Sequence, residues 1–198
     1  MSSVSFTVTN TTTISNEVVV VRLSISDASL DAKLAEWQVL RPGSGGGSAS
    51  FTFEGVITAM VSDGTNNTAA VPVPLGQLLS VTSNVTGGLQ LAAAGSGPTQ
   101  ATAYVRNDSS NPQSLTVSWF VDGALVLTEP GLNQKASATF ALSNTLLFSL
   151  RTLRARSASM LVQTDAASFT IKDGTTNVTV TWSRNGTGGM DVFAFDAT

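Results

Sequence analysis

Residues 16–26, Asn-Glu-Val-Val-Val-Val-Arg-Leu-Ser-Ile-Ser, leave few folds open to the chain. Four consecutive valines pass into strict alternation, with Leu23 and Ile25 apolar against Arg22, Ser24 and Ser26. β-Branched side chains lose χ1 freedom in a helix but pack well on a pleated surface, so this run reads as a strand buried on at least one face. Residues 114–123, Ser-Leu-Thr-Val-Ser-Trp-Phe-Val-Asp-Gly, have the same character. Such strands must be covered, and the remaining sequence offers mostly strands to cover them.

Val4, Phe6 and Val8 alternate with Ser5, Thr7 and Thr9, which predicts an opening strand. The only helical spacing is Leu30, Leu34 and Trp37, with Ser29 in the N-cap position. Because Ala35, Trp37 and Val39 also alternate, the reading is one or two helical turns leading into a strand over 35–40. The Gly/Ser stretch Pro42 to Ser48 reads as a mobile loop between strands. Further strands are expected at 49–53, 56–62 and 69–73, the last demoted to an edge by Pro72 and Pro74, and then at 78–83 and 89–93. After the break at Gly95-Ser-Gly-Pro98 the pattern resumes at 101–106, 115–121, 124–128, 137–142, 160–163, 168–172, 178–182 and 191–195. Residues 146–156 fit strand or helix alike. Asp122-Gly123, Asp173-Gly174 and Asn185-Gly186 are hairpin dipeptides.

The two halves echo each other in order. Val8-Thr-Asn-Thr-Thr12 matches Val105-Arg-Asn-Asp-Ser109, and Ala49-Ser-Phe51 after Pro42-Gly43 matches Ala138-Thr-Phe140 after Pro130-Gly131. Asp63-Gly-Thr65 also matches Asp173-Gly-Thr175. Either the chain is an internal duplication or short tokens recur in a Thr/Ser/Gly-rich sequence. The fold expected is all-β: two tandem antiparallel β-sandwich units of immunoglobulin-like or jelly-roll type, residues 1–96 and 97–198, the second with an insertion near 143–163.

Composition narrows the function. With no histidine and no cysteine, the chain lacks the commonest general base, the usual transition-metal ligands and any disulfide. The three lysines, Lys33, Lys135 and Lys172, sit beside no nucleophile signature, and most acids occupy turns, so the chain reads as no enzyme. A net charge of −3 argues against a nucleic-acid partner. No window holds the roughly eighteen apolar residues of a membrane-spanning helix, and the first residues carry no secretory signal. A cytoplasmic protein, or one exported and assembled by a non-Sec route, is therefore expected. Calcium is the one cofactor with oxygen-rich loops to hold it, Asp63, Asn66, Asp173 and Asn177 being the candidate ligands, but turn geometry explains the same residues more simply.

Only 12% of residues are charged, about half the usual share, so contact between copies is weakly opposed by repulsion. The leading expectation is a non-catalytic structural protein that self-assembles as a filament, layer, sheath or shell through edge and terminal strands. Val4, Phe6 and Val8 would form a donated strand, with Phe193 and Phe195 at the other end. Arg151, Arg154 and Arg156, the only basic cluster, would add interface contacts. The alternative is a carbohydrate-binding module using Trp37, the loop Pro42 to Ser48 and a glycan partner. A third reading, a membrane-active toxin subunit, draws on Leu146 to Leu150.

Overall fold

The computed structural model describes residues 3–25, 34–110, 114–152, 166–184 and 190–198. Its strands are β1 (Val4–Asn10), β2 (Glu17–Ile25), β3 (Gln38–Leu40), β4 (Gly47–Phe53), β5 (Ile57–Ser62), β6 (Val71–Pro72), β7 (Gln77–Ser83) and β8 (Leu89–Ser96). These are followed by β9 (Ala103–Asn107), β10 (Leu115–Val121), β11 (Ala124–Leu132), β12 (Ser137–Phe140), β13 (Leu142–Thr152), β14 (Ala167–Thr170), β15 (Asn177–Arg184) and β16 (Asp191–Ala197). No helix occurs among the described residues. Leu34 to Trp37 run without regular structure into the short β3, and Ser29 to Lys33 lie outside those residues.

Among the described residues four sheets of four strands form two compact units. Unit 1 comprises Met1–Ser24, Glu36–Glu54 and Asn144–Thr198, and unit 2 comprises Ile25–Ala35 and Gly55–Ser143. In unit 1 the sheet β16-β15-β1-β4 faces the sheet β14-β13-β2-β3. Phe6 of β1 stacks on Phe51 at 4.8 Å and approaches Phe148 and Phe169 of the other sheet at 6.2 and 6.0 Å. Trp37 meets Phe51 and Phe53 edge-on, completing an aromatic core. In unit 2 the sheets β11-β10-β5-β6 and β12-β9-β7-β8 enclose Trp119, which stacks on Phe140 at 5.4 Å. The alternation read in the sequence is the cause: Val4, Phe6, Val8, Leu115, Val117 and Trp119 are all buried, while their neighbours face outward.

The division at residue 96 needs correcting. Hydrogen-bonded pairs run across it, β10 with β5, β9 with β7 and β1 with β15, so neither 1–96 nor 97–198 is a compact unit. Nor is every pair antiparallel: β1–β15 and β7–β9 are parallel. The expected insertion near 143–163 is in part core strand, since Leu146, Phe148 and Leu150 of β13 are buried; residues 153–165 lie outside the described residues.

Comparing the units explains the sequence echo. Replacing β1–β4 by β9–β12, and β13–β16 by β5–β8, converts both strand orders of unit 1 into those of unit 2. The registers agree. Val8 pairs with Ala49 and Val180, and Val105 pairs with Ala138 and Leu79. Asn10 and Asn107, both fully buried, do the same work at the strand ends. The Asn10 Oδ1 accepts from the Thr12 N–H and hydroxyl at 2.9 and 2.7 Å, and the Asn107 Oδ1 accepts from those of Ser109 at 3.1 and 2.6 Å. The main-chain carbonyls of Asn10 and Asn107 accept from Gly46 and Lys135, both at positive φ. The Asp63 and Asp173 turns, by contrast, lie in different connections, β5–β6 and β14–β15, so that token recurs without structural equivalence.

Chain order and packing order therefore differ. Four-strand quartets follow one another as β1–β4, β5–β8, β9–β12 and β13–β16, yet unit 1 joins the first to the fourth and unit 2 the second to the third.

Candidate functional site

The residues expected at an interface occupy three different settings. Val4, Phe6 and Val8 lie at 2, 0 and 0% exposure on β1, which is paired on one side with β15 and on the other with β4. A strand with both edges occupied has no backbone groups left to offer a neighbour. Phe193 and Phe195 lie on β16, at the sheet edge, but turn half-buried rings inward onto Phe148 at 6.1 and 5.3 Å. Arg151 donates through Nη1 to both carboxylate oxygens of Glu36 at 2.7 Å. Arg154 and Arg156 fall outside the described residues.

The sheet edges remain. Among the described residues no strand pairs with the outer edge of β8 or β16. β16 carries Asp191 and Asp196, and Asp191 is held by Arg184 at 2.6 Å and by the Trp182 indole at 3.1 Å. β8 is different. Its sequence, Leu-Gln-Leu-Ala-Ala-Ala-Gly-Ser, contains neither a charge nor a proline, and six of its eight positions are exposed. Pairing with β7 sets Leu91 beside the buried Val81, which directs Leu91 inward and leaves Gln90 and Ala92 on the outer face.

The calcium candidates fall into turns. The Asp63 carboxylate accepts from the main-chain N–H of Thr65 at 2.9 Å and of Asn66 at 2.6 Å, with the Asn66 side chain adding a third bond at 3.3 Å. These bonds, the Asn66 amide first, hold its pKa below the ordinary value. Asn177 exchanges backbone hydrogen bonds with Thr198, and its side chain donates to Thr176. Asp173 is exposed. Among the described residues no group of three or more acids could hold a metal ion.

One cluster escapes the sequence reading. Asp108 accepts from the Ser80 hydroxyl at 2.7 Å, from Arg106 Nε at 2.8 Å and from Lys135 Nζ at 3.2 Å. The Ser80 bond first, then Arg106, lower its pKa to about 2. These bonds tie β7, β9 and the turn before β12 together through one carboxylate. Local sequence shows only Arg106 beside Asp108. Ser80 and Lys135 arrive through tertiary pairing, and unit 1 has Thr11, Thr181, Thr9 and Gly46 at the four matching positions.

Trp37, Trp119, Trp182 and Tyr104 are core side chains at 4, 0, 0 and 8% exposure, so none presents a ring face to a sugar. The loop from Pro42 to Ser48 is tied to the end of β1 by Gly45 N–H to the Thr12 carbonyl and Gly46 N–H to the Asn10 carbonyl. A hollow of about 220 Å³ in unit 2, lined by Val56, Ile57, Pro72, Val73, Pro74 and Leu75, has no ionisable wall. No helix among the described residues is long and apolar enough to cross a membrane. No protein-family model matches the chain, and comparison with curated proteins and with solved structures finds no significant match.

Proposed function

We propose that this is a non-catalytic structural protein whose copies associate edge to edge, as subunits of a filament, layer, sheath or shell. The single observation that carries the reading is β8, an eight-residue edge strand with no charge, no proline and six exposed positions. Folded monomers usually blunt such an edge with lysine, proline or an inward charge, because a row of free N–H and C=O groups is a template for another strand. β8 has none of these side-chain defences. The low overall charge of the chain removes the second barrier to contact. Support from the interior is consistent: the polar clusters at Asp108, Asn10 and Asn107 are spent on holding strands together.

Charging the outer face of β8 tests this. Sedimentation velocity across a concentration series is expected to show wild-type self-association. The Q90K/A92K variant, which sets two lysines on the outer face of the edge strand, should weaken that association at least about tenfold. A wild-type protein that sediments as a monomer at every concentration would overturn the proposal, and so would association indifferent to the two lysines.

A further inference from the structure

We infer that unit 1 is a sandwich that a second copy of the chain can complete, with β1–β4 of one molecule assembling onto β13–β16 of another. This inference stands apart from edge pairing and rests on topology. Unit 1 is built from three segments, the second ending at Glu54 and the third beginning at Asn144, with the main body of unit 2 lying between those two in the chain. No residue between Glu54 and Asn144 belongs to unit 1. Unit 2 is assembled from the same two kinds of quartet joined in the reverse order, β5–β8 preceding β9–β12. The pairing of quartets is thus independent of which one comes first along the chain.

Sequence order sharpens the point. Each consecutive repeat, β1–β8 and β9–β16, contains one quartet of each kind, yet the compact units combine quartets from different repeats. The molecule already contains within one chain the kind of exchange that two separate repeats would make between chains. Everything that joins the quartets of unit 1 would be recreated between copies. That includes the six paired positions of the β1–β15 ladder, the Phe6 contacts to Phe148 and Phe169, and the Arg151–Glu36 pair. Closed and exchanged forms therefore differ chiefly in the entropy of connection. An intramolecular closure through a connection of this kind corresponds to an effective concentration on the order of 1 mM.

The absence of cysteine makes a clean test. Thr7 and Thr179 are Cα partners across the β1–β15 ladder, on the outward face opposite Phe6 and Val8. The double variant T7C/T179C would be unfolded in urea, refolded at about 10 µM and about 1 mM, oxidised, and run on a denaturing gel without reductant. At the lower concentration the expected product is an intrachain disulfide, and at the higher one covalent multimers should reach about half of the protein, as the effective concentration implies. Refolding a mixture of the single variants T7C and T179C should give covalent dimers cross-linked between position 7 of one chain and position 179 of the other, identified by mass spectrometry. Where the first pair impairs folding, T9C/T181C, two residues along the same ladder and on the same face, serves equally.

Multimers below about a tenth at both concentrations would overturn the inference. If those samples still associate in sedimentation, edge pairing survives without exchange, and if they remain monomeric both proposals fall. Failure of either pair to form any disulfide would remove the ladder register on which the inference depends.

Discussion

At the scale of single residues, buried polarity distinguishes the two sandwiches from generic alternating strands. Asn10 and Asn107 each sit at 0% exposure, and the Asn107 Nδ2 donates to the Leu132 carbonyl at 3.0 Å while the Asn10 Nδ2 donates to that of Ile14 at 2.9 Å. Replacement by alanine strands buried donors and acceptors, at a cost of about 1–3 kcal/mol for an unsatisfied group. Asn10→Ala and Asn107→Ala are each expected to lower stability by about 2 kcal/mol in urea denaturation, and wild-type midpoints would contradict the role assigned to them. The Asp108 clamp makes a pH-dependent contribution. Its folded pKa of about 2 lies below the usual 3.8, so the stabilisation is complete above the unfolded value and is lost as pH falls from about 4 towards 2. Asp108→Asn should flatten the decline of the urea midpoint across that window relative to wild type. An unchanged slope would mean that the three partners of Asp108 contribute nothing to folding. The echo between Val8–Thr12 and Val105–Ser109 made the asparagines legible in the sequence. The clamp was not, because Ser80 and Lys135 reach Asp108 from 28 and 27 residues away.

At the scale of elements, alternation identifies most strands, and the register then decides which are edges. β1, which its sequence pattern offers as a donated strand, instead lies in the interior of its sheet. Truncation should therefore not release a folded monomer. Deleting residues 1–10 removes Phe6 from between Phe51, Phe148 and Phe169 and leaves both β4 and β15 without their shared partner. Loss of one buried aromatic alone costs about 3–5 kcal/mol. Hydrogen exchange is expected to show β4 and β15 unprotected in the truncated chain, and retained protection there would contradict the central placement of β1. β8 is the converse case. Its alternation is visible in Leu89 and Leu91, but a strand pattern does not say whether a second neighbour will occupy its free side. The run at 146–156, which fits strand or helix alike, is a buried strand over Leu146 to Leu150 because β2 and β14 flank β13 on either side.

At the scale of the whole molecule, the chain is two sandwiches of one topology assembled from alternating quartets. Parallel pairing marks the exchange: β1 meets β15 and β9 meets β7, each joining a quartet of one kind to a quartet of the other. Antiparallel strands can be joined by tight turns, whereas parallel neighbours require a crossover. In unit 1 the route from β1 to β15 includes the rest of the first quartet and unit 2, and in unit 2 the route from β7 to β9 passes only through β8. The two sandwiches thus share an architecture but differ in how much chain must be ordered before their sheets close. Unit 1 is expected to form later than unit 2, which pulse-labelling hydrogen exchange during refolding would detect as delayed protection of β1 and β15 relative to β7 and β9. Earlier protection of unit 1 would count against this order.

The sequence alone determined the all-β class, the positions of most buried side chains and the repetition of one strand pattern in two halves. Those properties are written in nearest neighbours: side chains alternate with period two, turns require particular residues, and a chain without histidine or cysteine lacks much of the usual chemistry. Only the tertiary structure decided which quartet covers which, because strands of similar hydrophobic pattern can satisfy each other from either repeat. That choice turns on long-range registers, such as Val8 opposite Val180, between residues that share no local signal.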